Sequence, residues 1–217
     1  MGFRSASSLR VGLRLGLGVG LGFVGLVGLA GCAVLTAVQI GYWRNSLSLW
    51  THTLAMTENN EVADYNLGLL LAHQNKLHEA VGYFERAVRI EPNFGLAQNN
   101  LGLVLNSLGY PREAIPHFAR AIEINPDNAG AEINWGNALV RLDRPSESIP
   151  HYERALALQP ANADAHLNWG VALAREGRYG DAIKQFDAAL SIDPGSREAK
   201  AYLDRATALL QNAPSRP

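Results

Sequence analysis

Acidic side chains are absent from the first forty residues, although the 217-residue chain carries 20 of them and a formal net charge of -1. All of them fall in the remainder, so the two regions are built for different solvents. The near-neutral balance gives no electrostatic footing for nucleic acid, which is not expected as a partner. Cysteine is almost missing too. Cys32 stands alone, which excludes an intramolecular disulfide and a cysteine-based zinc cluster by counting. The six histidines include no His-Glu-x-x-His pair, and neither a Gly-x-x-x-x-Gly-Lys-Ser/Thr loop nor a Gly-x-Ser-x-Gly elbow occurs. No general acid, base or nucleophile can be nominated, no cofactor or metal is expected, and the chain does not read as an enzyme.

Ionisable groups are lacking from Leu15 to Ile40, the weakly acidic thiol of Cys32 excepted. As a helix this run would extend roughly 39 Å at about 1.5 Å per residue, more than the ~30 Å of a bilayer's hydrocarbon. One transmembrane helix is expected over residues 15–41, behind a basic N-terminus at 1–14. Arg4, Arg10 and Arg14 precede the run and only Arg44 follows closely, which keeps the N-terminus cytoplasmic and puts the rest outside, in a periplasm or lumen. Gly12, Gly16 and Gly20 recur at spacing four, a pattern that lets membrane helices approach closely. An alternative anchor is open, because Leu29-Ala30-Gly31-Cys32 resembles the end of a bacterial lipoprotein signal, in which Cys32 would be lipidated. The apolar stretch Ala33 to Ile40 departs from the polar linker usual in that class.

After residue 60 the chain repeats itself at a period of 34. Gly68, Gly102, Gly136 and Gly170 align in one column, and Phe84, Phe118, Tyr152 and Phe186 in another. Small residues fill two more: Ala80, Ala114, Ser148 and Ala182, then Ala87, Ala121, Ala155 and Ala189. Antiparallel helix pairs need small residues where backbones touch and a large aromatic to fill the space beside them. Pro92, Pro126, Pro160 and Pro194 mark where each second helix stops. Asn75, Gly109, Asp143 and Gly177 supply the turn inside each hairpin, and Pro111 and Pro145 suit the helix starts that follow. Pro116 and Pro150 are expected near the first turn of the second helix, where the lost hydrogen bond costs little.

Tyr65-Asn66-Leu67-Gly68, followed by Ala80, Phe84, Ala87 and Pro92, closely resembles the tetratricopeptide-repeat (TPR) consensus. Four repeats fit, at 61–94, 95–128, 129–162 and 163–196, with Trp135 and Trp169 replacing the leucine of Leu67 and Leu101. The resemblance implies an all-α, right-handed helix-hairpin solenoid, here preceded by one transmembrane helix. Residues 42–60 are expected to hold a linker and a half-repeat capping helix at about Asn45 to Thr57, and 197–211 a polar-faced capping helix. Residues 212–217 are expected to be a disordered tail. The junction Tyr42-Trp43-Arg44-Asn45-Ser46, running into Leu49-Trp50, resembles membrane proteins whose last transmembrane helix leads into such repeats, transmembrane O-mannosyltransferases among them. The catalytic acids of that group lie in earlier membrane helices and loops, so the likeness implies a non-catalytic tail.

A TPR stack binds through the groove lined by the first helix of each repeat. Asparagine occupies one groove position in all four: Asn66, Asn100, Asn134 and Asn168. An amide offers both a donor and an acceptor, the pair a peptide backbone needs, and this column resembles the asparagine ladder of the O-GlcNAc transferase repeats. The alternative is a merely solvated groove. Tyr65, Leu69, His73, Asn99, Leu103, Asn137, Arg141, Val171 and Arg175 complete the candidate peptide-binding surface, mixed in character and low in charge. His117 and His151 take equivalent places on adjacent second helices; without a third ligand they read as structural. Asp64 and Asp164 stand too far apart in the stack to act together. The expected function is a membrane-anchored scaffold for a protein or extended peptide. The alternative is an acceptor-presenting tail or accessory of a membrane glycosyltransferase complex.

Overall fold

The computed structural model describes residues 46–212, which contain helices and turns and no strand. The apolar run from Leu15, Cys32 and the junction at Tyr42 lie outside the described residues, as do 213–217 of the expected tail. Among the described residues no helix is long and apolar enough to cross a membrane. The chain divides into a unit of residues 1–56, whose described part is helix α1 (Ser46–Met56), and a second unit of residues 57–217.

The second unit is a row of helix hairpins: α2 (Glu61–His73) with α3 (Leu77–Ile90), α4 (Gly95–Ser107) with α5 (Pro111–Ile124), α6 (Ala129–Arg141) with α7 (Pro145–Leu158), and α8 (Ala163–Arg175) with α9 (Tyr179–Ile192). A final helix, α10 (Arg197–Gln211), packs on α9 and α8. Asn75, Gly109, Asp143 and Gly177 all have positive φ, between 58° and 90°, so one left-handed residue reverses the chain inside every hairpin. Side chains of Asn60, Asn128, Asn162 and Ser196 each accept a hydrogen bond from the backbone N–H three residues on, capping four of the five first helices. The fifth, α4, has Phe94 at that place, and its ring packs on Tyr65 with centroids 4.9 Å apart.

Each second helix stops two residues before its proline, at Ile90, Ile124, Leu158 and Ile192. Pro116 and Pro150 stand at the sixth residue of α5 and α7, within the second turn, and both helices run through them unbroken. Both prolines are exposed, and so are Arg112 and Ser146, whose carbonyls lose a helical donor where water can replace it.

The glycine and aromatic columns form the core as one device. Phe84, Phe118, Tyr152 and Phe186 are fully buried. Each ring lies against the glycine sixteen residues earlier, so closely that a Cβ on Gly68, Gly102, Gly136 or Gly170 would fall 2.5–2.7 Å from a ring carbon. The columns of Ala80 and Ala87 are buried in every repeat, Ser148 included.

The first helices of successive repeats touch one another, whereas among the described residues no second helix approaches the next second helix as closely. Packing that is tighter among the first helices curves the stack toward them, which makes their free face the groove.

Candidate functional site

The groove face carries residues at four positions of each first helix, one or two turns apart. Near the start stand Val62, Leu96, Gly130 and Asp164; then come the four asparagines; then Leu69, Leu103, Asn137 and Val171; and at the end His73, Ser107, Arg141 and Arg175. The first two repeats present apolar side chains, Val62, Leu96 and Leu103 being 46%, 57% and 40% exposed. The last two present charge and amide.

The asparagine column has work inside the protein. Asn100 Nδ2 donates to the Tyr65 hydroxyl at 3.0 Å, and Asn134 Nδ2 donates to Asn99 Oδ1 at 3.1 Å, each bond tying one repeat to the one before. Asn66, with no described repeat before it, turns its amide back to the Val62 carbonyl at 2.7 Å. For Asn168 the corresponding partner is Ile133, which has no acceptor, and its side chain makes no hydrogen bond among the described residues. Each bonded amide still keeps one N–H and lone pairs on Oδ1 for a ligand.

Four of the remaining candidates support the stack. Tyr65 packs between Phe84 and Phe94, and burial raises its phenol pKa while the Asn100 bond opposes that rise. Asn99 is the acceptor just described, and Asn137 Oδ1 accepts from the Tyr152 hydroxyl at 2.8 Å. Arg175 spends one arm on the Val140 carbonyl of the preceding repeat, 2.9 Å away, while Arg141 is exposed and forms no ion pair among the described residues.

Two clefts open between first helices. One, of about 270 Å³, is lined by Leu69, Ala72, His73, Leu77, Asn100, Leu103 and Ser107, over the edge of Phe84. The other, of about 380 Å³, is lined by Val171, Ala174, Arg175, Tyr179, Tyr202, Arg205 and Leu209. They are the same cleft three repeats apart, since Leu69 aligns with Val171, His73 with Arg175, Leu77 with Tyr179, Asn100 with Tyr202, Leu103 with Arg205 and Ser107 with Leu209. The sequence reading missed Tyr202 and Arg205. Extending the 34-residue columns into the capping helix would have found them, because Tyr202 continues the asparagine column and Arg205 that of Leu69.

Polar couples behind the groove link the two helices of the last three hairpins, nineteen residues apart. His117 Nδ1–H donates to Gln98 Oε1 at 2.8 Å, and His151 Nδ1–H donates to Glu132 Oε2 at 2.6 Å. In the fourth repeat the order is reversed, with His166 Nδ1 2.8 Å from Gln185 Oε1. In the first, Tyr83 takes the partner position and the buried carboxylate of Asp64 meets Arg86 at 3.4 Å. These histidines are spent on hairpin contacts, and among the described residues no group of three His, Cys, Asp or Glu side chains is placed to hold a metal.

A family profile described as tetratricopeptide repeat matches residues 36–93, 65–129 and 133–197. No curated protein matches the sequence. Among solved structures, YrrB, a TPR protein with an unusual peptide-binding site, is similar at 25% identity and a TM-score of 0.64, over 76% of this chain and 84% of that one. MamA from Desulfovibrio magneticus RS-1 is similar in fold at 20% identity and a TM-score of 0.61, over 72% and 93%. The structure of the APC/C hetero-tetramer Cut9–Hcn1 contains a chain similar at 22% identity and a TM-score of 0.68, over 74% of this chain and 32% of that one. The 34-residue columns, the repeated hairpins and the profile match agree, and the chain belongs to the tetratricopeptide repeat family.

Proposed function

We propose that this protein is a membrane-tethered scaffold whose groove holds an extended segment of another protein. The observation that carries the reading is the cleft between first helices, which recurs at both ends of the stack with the asparagine column running between. Apolar side chains exposed at Val62, Leu96 and Leu103 have no partner among the described residues to cover them, and a bound segment would remove them from water. The asparagines would meet its backbone through the amide groups their internal bonds leave free. YrrB, at 25% identity, is described by its own peptide-binding site, which is consistent with this use of the fold. The tether is the run from Leu15 to Ile40, with lipidated Cys32 as the other route, and either leaves the repeats outside the cytoplasm.

A second reading is favoured by the junction near Tyr42 together with the amide column: an accessory that presents acceptor proteins to a membrane glycosyltransferase. Crosslinking and pull-down from membranes separates the two. A partner captured by wild type and lost with Leu103→Asp/Asn168→Ala, after circular dichroism shows both proteins folded, supports the groove; both changes lie at side chains free of internal hydrogen bonds. Unchanged capture sinks the groove reading. A polytopic glycosyltransferase among the captured proteins decides for the second reading. Release of the chain by carbonate washing would sink the tether, and a wild-type mass that carries acyl chains missing from Cys32→Ser would identify the anchor as lipid.

A further inference from the structure

The two equivalent clefts differ in chemistry. At the first, Leu69 and Leu103 make the walls apolar. At the second, the positions of His73 and Leu103 are filled by Arg175 and Arg205, and Tyr179 and Tyr202 stand where Leu77 and Asn100 stood. Neither arginine forms an ion pair among the described residues. Glu176, beside Arg175 in the chain, is engaged by Arg178 at 3.6 Å, and Asp204, beside Arg205, is not part of the cleft lining. The bond from Arg175 to the Val140 carbonyl holds one arm of the guanidinium and leaves the other N–H groups to a ligand. Two unpaired guanidinium groups and two phenols in one cleft fit a carboxylate, which accepts charge-assisted hydrogen bonds from both.

Resting on the groove reading above, we infer that the bound segment is bipartite: a large apolar side chain sits in the Leu69–Leu103 cleft and an Asp or Glu side chain sits between Arg175 and Arg205. The clefts are three repeats apart. At about 10 Å between packed helices that is roughly 30 Å, which an extended chain covers in about nine residues. The spacing, and not either anchor alone, gives the selectivity, because each anchor is common in any sequence and their separation is not.

The test is selection of displayed random peptides, roughly 16 residues long to span both clefts with flanks, on the full chain in detergent micelles. Wild type should enrich peptides with an acid about nine residues from a large apolar residue. Arg205→Glu, at an exposed side chain with no internal bond, should replace the acid by Lys or Arg while the apolar anchor stays. It should also bind the wild-type consensus peptide at least about tenfold more weakly in fluorescence anisotropy. Enriched peptides that share an apolar residue but no acid, or that bind Arg205→Glu equally well, overturn the bipartite assignment and leave the groove reading standing. Absence of any enrichment by either protein overturns both.

Discussion

Gly170 lies against Phe186 with no room for a methyl group: a Cβ there would stand 2.5 Å from Cε1 of the ring. Phe186 is fully buried and has nowhere to move. Gly170→Ala therefore trades a helix-propensity gain of about 1 kcal/mol against overpacking of about 1–3 kcal/mol, and overpacking wins. Gly82 is the control. It lies inside α3, is exposed, and a Cβ would meet nothing within 4 Å. Gly82→Ala should stabilise by up to about 1 kcal/mol while Gly170→Ala destabilises, and urea melts of the two variants decide. If Gly170→Ala is as stable as wild type, close approach is not why that column is glycine.

The reversed couple of the fourth repeat sets a second prediction. Gln98 also donates through Nε2 to the Pro92 carbonyl at 3.2 Å, and His166, its equivalent, places Nε2 3.3 Å from the Pro160 carbonyl. One position therefore accepts either residue, provided its partner is the other. Gln98→His alone sets two imidazoles against each other and should cost about 1 kcal/mol, the worth of the lost bond. Adding His117→Gln should restore most of it. A double variant no more stable than the single one would mean that the repeats do not share this geometry.

Much of this architecture is legible in the sequence because it is imposed by backbone contact. The close approach at Gly68, the left-handed turn at Asn75 and the stop at Pro92 each admit few residue types, so each leaves a visible column. The hairpin couples left no such trace. Asp64, Gln98, Glu132 and His166 share one place and differ in charge: in the last three repeats what is kept is complementarity with His117, His151 and Gln185 and not identity, while Asp64 turns to Arg86 instead. The groove was half legible for the same reason. Asn100 and Asn134 are readable as a column, but that their amides tie repeats together depends on Tyr65 and Asn99, which look unrelated on the page. Trp169 reads in the sequence as a simple apolar replacement, but its indole N–H is buried with no hydrogen-bond partner among the described residues.

Buried ionisable groups make stability depend on pH in opposing senses. Burial pushes the Asp64 carboxyl above its ordinary 3.8, with Arg86 opposing more weakly. The folded state then binds its proton first, so the contribution of Asp64 to folding is fully present below 3.8 and is lost as pH rises through its folded value. Burial pushes His117 and His151 below 6.5, so their contribution is present above 6.5 and is lost as pH falls through their folded values. Asp64→Asn should raise the neutral-pH melting temperature, since Gln98 and His166 fill the same place, and the gain should shrink on acidification. Melting curves from neutral pH to about pH 4 test this. An Asp64→Asn protein less stable than wild type at neutral pH would show that the Arg86 contact outweighs burial.

The asparagine column separates by whether each amide has an internal partner. Asn100→Ala and Asn134→Ala each remove a bond between repeats and should cost about 1 kcal/mol. Ile133 holds the position equivalent to Tyr65 and Asn99, and Asn168 makes no such bond among the described residues, so Asn168→Ala should change stability by less than about 0.5 kcal/mol. Coupling is the sharper measurement. Tyr65→Phe and Asn100→Ala remove the same bond from its two ends, so their combined cost should fall short of the sum by about that bond's worth, whereas Tyr65→Phe and Asn168→Ala should add. Additivity in both pairs would mean that the Tyr65–Asn100 bond does not stabilise the stack. The same variants then bear on the ligand. Asn168 has no structural duty among the described residues, so weaker peptide binding by Asn168→Ala at unchanged stability can only come from the ligand's side of the groove.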